Sequence, residues 1–332
     1  MTYVQGGLIQ ATDYNGFVST TSGANVNATW STGTTDAGWG QTALGTVSAG
    51  GTVTATQWAS LVNTLSSMGS QTATAITSRS APTAGQTINV LAAVNTDLTN
   101  CYNNRGNAAA SGTQYGTFSG TTSKTSATGS GQTAWTITFT HTVTFPSADQ
   151  ARYFWNAGGI VRINYGKSST GTDIDPDWNT LAGQCGSINI TGRVAGASQT
   201  IAGQAYTGTT RLGGAGGTQT TLATTTGWYN LTGSPTTIFQ LNSAASPYTG
   251  SFIRTTATAT STTVLTLVTT WVQPAVTAPG TTCNISGGTA VSSPATAIGA
   301  ATAPTTLVTY LPPSITYISD TWGTPTIAAS VA

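Results

Sequence analysis

The sequence predicts a mainly β protein with a small helical N-terminal module, its β part an antiparallel β-sandwich or jelly-roll-like domain with one short inserted helix. Three observations lead there. Residues 135–145, WTITFTHTVTF, alternate large apolar side chains with threonines for eleven positions. Side chains two apart in a strand share a face, so this is a strand with one apolar and one hydroxylated face. Further on, GSINITGRV, TIFQLNS, SFIRTTATA and TTVLTLVTTWV are short, threonine-rich and separated by Gly, Pro and Asn, as in sandwiches and barrels. The first 110 or so residues instead carry apolar residues at helical spacing.

Residues 1–110 read as a helical attachment module. In TATQWASLVNTLSSMG, Thr54 and Gln57 have capping-box spacing, Trp58, Leu61, Val62, Leu65 and Met68 share a face, and Gly69 stops the run. TINVLAAVNTDLTNCYNN repeats the pattern with Leu91, Val94, Leu98, Cys101 and Tyr102, followed by Gly106. A shorter helix starts near Thr12 in QATDYNGFV. Residues 111–134 are Ser/Thr/Gly-rich and read as a linker. Residues 135–272 read as the β-rich domain, opening with a strand, a helix in PSADQARYFWNAGG capped by Ser147 and Gln150, and a returning strand in IVRINYG. Residues 273–332 hold seven of the twelve prolines and read as an extended segment that crosses onto a neighbouring chain.

Composition removes several function classes. Only 5% of residues are charged, against about 25% in an average soluble protein. All eight acidic residues are Asp, and the net charge is +1. Seven Arg and two Lys are scattered singly, so there is no basic stripe for nucleic acid. No run of about 18 apolar residues exists to span a membrane. The start, MTYVQGGLIQ, lacks the basic and apolar regions of a signal peptide, which points to folding in a cytosol. Nine Trp, eleven Tyr and seven Phe argue for a folded chain despite its low complexity. A surface with so little charge is poorly protected against self-association, which suits a component of an assembly.

Chemistry-bearing patterns are sparse. His141, the only histidine, sits on the apolar face of 135–145 without a nearby nucleophile or carboxylate, and reads as a structural rung of the sheet. In DIDPDWN, Asp173, Asp175 and Asp177 alternate like the start of a calcium loop. Trp178 stands where that loop needs glycine, no Glu follows at the twelfth position, and Asp177 suits the N-cap of a short helix WNTLAG. The expectation is an exposed capped turn without essential metal. As an acid/base pair for glycoside hydrolysis the same aspartates are too close along the chain. RLGGAGGTQT (211–220) lacks the Lys-Ser/Thr of a phosphate loop and reads as a flexible surface loop. Asp149 and Arg152 are spaced to pair on a helix. Tyr153, Phe154 and Trp155 cannot all face one way, so some pack in the core and another makes an interface contact. Cys101, Cys185 and Cys283 form no metal pattern; they read as small buried hydrophobes, with one disulfide plus one free thiol as the alternative.

Several segments, in order, resemble a known family. LIQATDYNGF, GWGQ, AGGTVTATQWASLVNTL and AGQTINVLAAVNTDLTNCYNNR resemble the N-terminal half of tail-fibre-like virion structural proteins of tailed phages, common in marine and cyanobacterial phages. FTHTVTFPSADQARYFWNAGGIVRINYG, DPDWNTLAGQCGSINI and GWYNLTGSPTTIFQLNSAASPYTGSFIRTTATA resemble its second half. The resemblance covers most of residues 5 to about 275; the scarcity of charge and the Pro/Thr/Ala-rich end depart from the pattern. It implies a non-enzymatic virion component in a tail fibre, baseplate or other tail appendage, with no catalytic residues and no cofactor. Its implied partners are other virion proteins and copies of itself, as a homotrimer, and its implied place is the virion, assembled in the host cytoplasm. Two alternatives stand beside it: a tip module that recognises a host surface glycan through exposed aromatics, and a capsid decoration protein. A depolymerase is a third, without a convincing carboxylate pair.

Overall fold

The computed structural model describes residues 10–19, 24–33, 36–84, 93–107, 119–124, 135–167, 174–192, 199–201, 204–245, 248–274 and 304–332. It is mainly β, with a small helical module at the N-terminus and two antiparallel sheets packed face to face.

The N-terminal module contains α1 (Ala11–Val18), α2 (Val26–Thr29), α3 (Ala55–Gln71) and α4 (Val94–Asn103). The capping box of α3 is present: Thr54 N donates to Gln57 Oε1 at 2.8 Å and Gln57 N to Thr54 Oγ1 at 3.3 Å. Its apolar face buries Trp58, Leu61, Val62, Leu65 and Met68. Tyr14 and Phe17 of α1 meet the Trp58 ring edge-on at 5.6 and 6.1 Å. The helix passes Gly69 and ends at Gln71, where the Thr72 hydroxyl takes the Met68 carbonyl and Ala73 turns the chain at φ 50°. For α4, Val94, Leu98 and Cys101 are buried as expected, while Leu91 lies outside the described residues.

Residues 39–48, between α2 and α3, belong to no helix or strand, and amide side chains hold them. The Asn15 amide both donates to and accepts from Val47 backbone, each at 2.8 Å. Asn27 does the same with Leu44 at 2.9 Å, and Gln41 with Ser319 at 2.8 and 2.9 Å. Each amide thus replaces a neighbouring strand, satisfying one N–H and one C=O that would otherwise go unpaired. Gln41→Glu removes the donor and places a carboxylate against the Ser319 carbonyl. A loss of about 1–3 kcal/mol is expected, read as a lower urea midpoint, with Gln41→Asn losing the clamp through reach alone.

The β part follows as β1 (Ser119–Lys124), β2 (Trp135–Thr144), α5 (Ala148–Asn156), β3 (Ile160–Gly166), α6 (Ile174–Cys185), β4 (Ser187–Ile190), β5 (Gln199–Ile201), β6 (Gln204–Tyr206), β7 (Thr209–Leu212), β8 (Thr218–Leu222), β9 (Thr236–Asn242), β10 (Phe252–Ser261), β11 (Val264–Gln273), β12 (Thr305–Leu311) and β13 (Thr326–Val331). One sheet has the order β1-β12-β3-β4-β7, the other β13-β2-β11-β10-β9-β8, and β5 and β6 form a separate hairpin. The expected strand–helix–strand unit is β2, α5 and β3, but its strands belong to opposite sheets, so α5 bridges the sandwich at one end.

β2 behaves as its alternation dictates. Ile137, Phe139, His141 and Val143 are buried, while Thr138, Thr140, Thr142 and Thr144 are half-buried on the outer face. Opposite them, Val308 and Tyr310 of β12, Ile163 and Tyr165 of β3, and Ile188 and Ile190 of β4 complete the core, which is continuous with that of the N-terminal helices. Inside it the Tyr165 hydroxyl meets Thr255 at 2.7 Å, and Thr255 meets Thr269 at 2.9 Å, so these buried hydroxyls satisfy one another.

Four expectations change. The 111–134 stretch is not wholly a linker, since β1 lies in it and pairs with β12. The 273–332 segment is not simply extended: β12 inserts between β1 and β3, and β13 pairs along β2. The short helix expected in WNTLAG starts earlier and is longer, α6 running Ile174–Cys185. Asp177 lies inside the first turn of α6 and is buried, so it neither caps the helix from outside nor sits in an exposed turn. Of the four edge strands, β7 has four residues, β8 five, and β1 and β13 six; β1 and β8 have irregular register, while β13 pairs regularly with β2. Of the four edges, β7 and β8 are thus short enough to offer poor templates for pairing with other chains.

Candidate functional site

The helical module and the sandwich meet at α5. Ser147 accepts from Gln150 N at 3.1 Å and starts the helix. Ala151, Phe154 and Trp155 face the core. Phe145 approaches Phe154 at 5.2 Å and Trp155 at 5.7 Å, and Trp155 stacks on Trp228 at 5.4 Å with the planes 16° apart. Tyr153 is buried in the same core, so none of the trio makes the expected interface contact; its ring lies where a Cβ on Gly40 would be, 2.4 Å away.

The polar side of α5 grips the loop before and through GWGQ. Arg152 donates to the carbonyls of Thr32 and Ala37 and pairs with Asp149 at 2.8 Å. Asn156 donates to the carbonyls of Asp36 (2.6 Å) and Gly38 (3.0 Å), and its Oδ1 accepts from the Tyr229 hydroxyl at 2.9 Å. Trp39 Nε1 donates to Asn156 O at 3.2 Å, Gln71 Nε2 to Ala157 O at 3.1 Å, and Thr321 Oγ1 to Trp39 O at 2.5 Å. Gly38 has φ +100° and approaches the 31–32 backbone so closely that a Cβ would fall 2.3 Å from Thr32 O. Only glycine fits there.

An open groove of about 540 Å³ lies over this joint, lined among others by Asp36, Asp149, Arg152, Trp228, Tyr229 and Thr262. Its Asp149–Arg152 pair was legible from spacing. Its aromatic wall was not, because nothing in the sequence links 228–229 to α5. Two carboxylates line it, Asp36 and Asp149, the second of them paired with Arg152. Burial pushes the Tyr229 hydroxyl well above the ordinary phenol range, so it serves as a neutral donor to Asn156.

The other candidates are dispersed. His141 is fully buried between the sheets, opposite Leu267 on β11 and Ala329 on β13, and does not line the groove. Asp173 and the side chain of Asp175 lie outside the described residues. Asp177 is 3% exposed; its Oδ1 accepts from Ser243 Oγ at 2.8 Å and its Oδ2 is buried without a hydrogen bond. Among the described residues no group of three or more His, Cys or Asp side chains could hold a metal ion. Cys101 and Cys185 are free and buried, and Cys283 lies outside the described residues. Burial, then the nearby Asp97 carboxylate, push the Cys101 thiol up to about 12, and burial raises Cys185 too, so neither is a reactive thiolate. The glycine-rich 211–220 stretch carries the chain from β7 in one sheet to β8 in the other. Arg211 fastens it to the carbonyls of Gln184 and Cys185 at the end of α6, and a Cβ on Gly214 would fall 2.3 Å from Gln184 O. It is a tethered crossover rather than a free loop.

Burial raises the Asp177 carboxyl from 3.8 to about 6, with the Ser243 hydrogen bond opposing the shift. The folded state therefore favours the neutral acid. The resulting stabilisation is complete below about pH 4 and is lost as pH rises through about 6. Two pKa units correspond to about 3 kcal/mol. Urea midpoints between pH 4.5 and 7.5 should show wild type losing stability relative to Asp177→Asn over that window. Parallel curves for the two proteins would mean that Asp177 titrates as it does in the unfolded chain.

The chain matches no protein-family model, no curated protein and no solved structure.

Proposed function

We propose that the chain is a non-enzymatic structural component of a tailed-phage virion, a subunit of a tail fibre, baseplate or other tail appendage. One observation carries this reading. Three of the segments that resemble the family's motifs meet at a single joint, and two others supply buried core faces elsewhere. GWGQ, SADQARYFWNAGG and GWYNL meet through the hydrogen bonds of Arg152, Asn156, Trp39 and Tyr229. ATQWASLVNTL supplies the Trp58 face. DPDWNTLAGQC supplies Trp178, which donates to Gln273 Oε1 at 3.3 Å and lies 5.4 Å from Trp271. Residues used this way set the relative position of two modules, as an architectural part requires. The low charge supports a protein whose surface is largely covered by partners, with a homotrimer as the proposed assembly. No described helix is long and apolar enough to cross a membrane.

The glycan-binding alternative relied on exposed aromatics. Among the described residues the tryptophans are buried or half-buried, and the one exposed large hydrophobic is Ile315. The groove beside Trp228 is the place left for it.

Mass spectrometry of purified particles, together with a map of the particle at subunit resolution, tests the proposal. The chain should be present in fixed stoichiometry at the tail. Absence from purified particles overturns the reading, and a position on capsid hexamers replaces it with the decoration protein. His141→Gln should leave particles assembled and adsorbing normally; loss of a hydrolytic activity on host polysaccharide, with the circular dichroism spectrum unchanged, would overturn the non-enzymatic assignment.

A further inference from the structure

We propose that residues 304–332 are an exchangeable arm, and that the slot it fills in one copy of the chain accepts the same segment of a second copy. The arm enters the sandwich as a unit. β12 is paired on both sides, with β1 and, over seven registered positions from Thr305↔Gly166 to Leu311↔Ile160, with β3. β13 pairs along β2 in the other sheet, and Ala332 exchanges two hydrogen bonds with Thr138. Between the strands, Ser319 sits in the Gln41 clamp, and Ile318 and Trp322 are buried. Emptied, the slot would expose an apolar floor under Val308 and Tyr310, flanked by the open edges of β1 and β3. The occupant that fits it is thus specified by register, by the Gln41 amide and by shape.

The chain length between the arm and the rest permits exchange. Residues 275–303 are the covalent link to β11. A stretch of that length reaches up to about 100 Å when extended, whereas a compact chain of 332 residues has a radius of gyration of only about 20 Å. The link is long enough to deliver the arm either to its own slot or to that of a neighbour. The strand pairs and clamps are identical in the two arrangements, so the difference between them lies in the effective concentration that the link confers. For a link this long that advantage is modest, and high local concentration in an assembly offsets it. Asp320 is the only charged residue in the arm, so exchange moves almost no charge across the interface. The inference is independent of the virion reading, since it applies to any assembly built from this chain.

Two full-length chains, both carrying Cys101→Ala, Cys185→Ala and Cys283→Ser so that no native thiol can cross-link, provide the test. One carries Asn164→Cys and the other Leu307→Cys, positions directly opposed across β3 and β12. They are unfolded, mixed at high concentration, refolded and oxidised. A disulfide between the two different chains requires the arm of one to occupy the slot of the other. The expected result is a covalent heterodimer on a non-reducing gel that fades when the mixture is refolded dilute. Thr140→Cys with Ser330→Cys, opposed across β2 and β13, repeats the test should the first pair not fold. Folded protein that yields no heterodimer with either pair overturns the proposal. A chain located in the particle tail with no heterodimer would leave the structural reading standing and remove the exchange.

Discussion

Phe139→Asp should abolish folding. Phe139 is fully buried on β2, flanked by Thr269 of β11 and Val331 of β13 in the sheet. Losing its apolar burial costs about 1.5–3 kcal/mol. Placing a carboxylate there adds several kcal/mol more, because a charge is forced into an interior with no cation to meet it. Protonating the new carboxyl lessens that penalty but leaves an unsatisfied polar group. The total takes up most or all of the roughly 5–15 kcal/mol that holds an ordinary domain together. Expression in inclusion bodies, or a soluble product without a cooperative melt, is the expected result. Phe139→Leu leaves a smaller but still apolar side chain, so it should cost far less than the Asp variant and fold. Correct folding of the Asp variant would mean that residues 135–145 do not present this face to the core.

The contrast between what was and was not legible follows from how far each signal reaches along the chain. β2 was legible because an eleven-residue alternation has one strand interpretation. The start of α3 was legible because the Thr54–Gln57 box is closed within four residues. The arm was misread because seven of the chain's twelve prolines fall in 273–332, although TTLVTYL at 305–311 carries an ordinary β-branched strand signal. β1 gave no signal at all: SGTTSK has no apolar alternation, and its conformation depends on β12 beside it. The amide clamps were equally silent, since Asn15 with Val47 or Gln41 with Ser319 are pairings that only the folded chain defines.

For the candidate site the limits are similar. The Asp149–Arg152 pair is local and was read correctly. The Asp173–Asp177 alternation suggested a surface, because acidic residues are seldom buried. Burial of Asp177 depends on Ser243 and the turn after β9, which lie far along the chain. Nine tryptophans invited a lectin-like surface, yet the stacking of Trp155 on Trp228 and the packing of Trp178 by Trp271 show how such a charge-poor chain spends its aromatics. They supply large buried areas where a small domain would otherwise have mostly Thr, Ser and Gly.

Asp97→Ala should cost about 3–5 kcal/mol, the range for breaking a buried ion pair from one side. Asp97 Oδ2 lies 2.5 Å from Arg79 Nη2, with side chains only 6% and 5% exposed. The same carboxylate accepts from Thr77 N at 3.1 Å, so it also pins the 74–80 segment to α4. Alanine leaves the buried Arg79 guanidinium without the Asp97 carboxylate, and leaves Thr77 N without its acceptor. The N-terminal module would lose most of its independent stability, and the joint at α5 would lose the frame that presents Trp39 and Gln71. Chemical unfolding should then separate into two transitions, the helical module preceding the sandwich. The decisive comparison is with the double variant Asp97→Leu/Arg79→Met. Removing both charges eliminates the desolvation cost as well as the attraction, and such replacements are often neutral or stabilising. The double variant should therefore recover most of what the single one loses. Equal losses in the two would show that the Thr77 hydrogen bond, rather than the ion pair, is what Asp97 contributes.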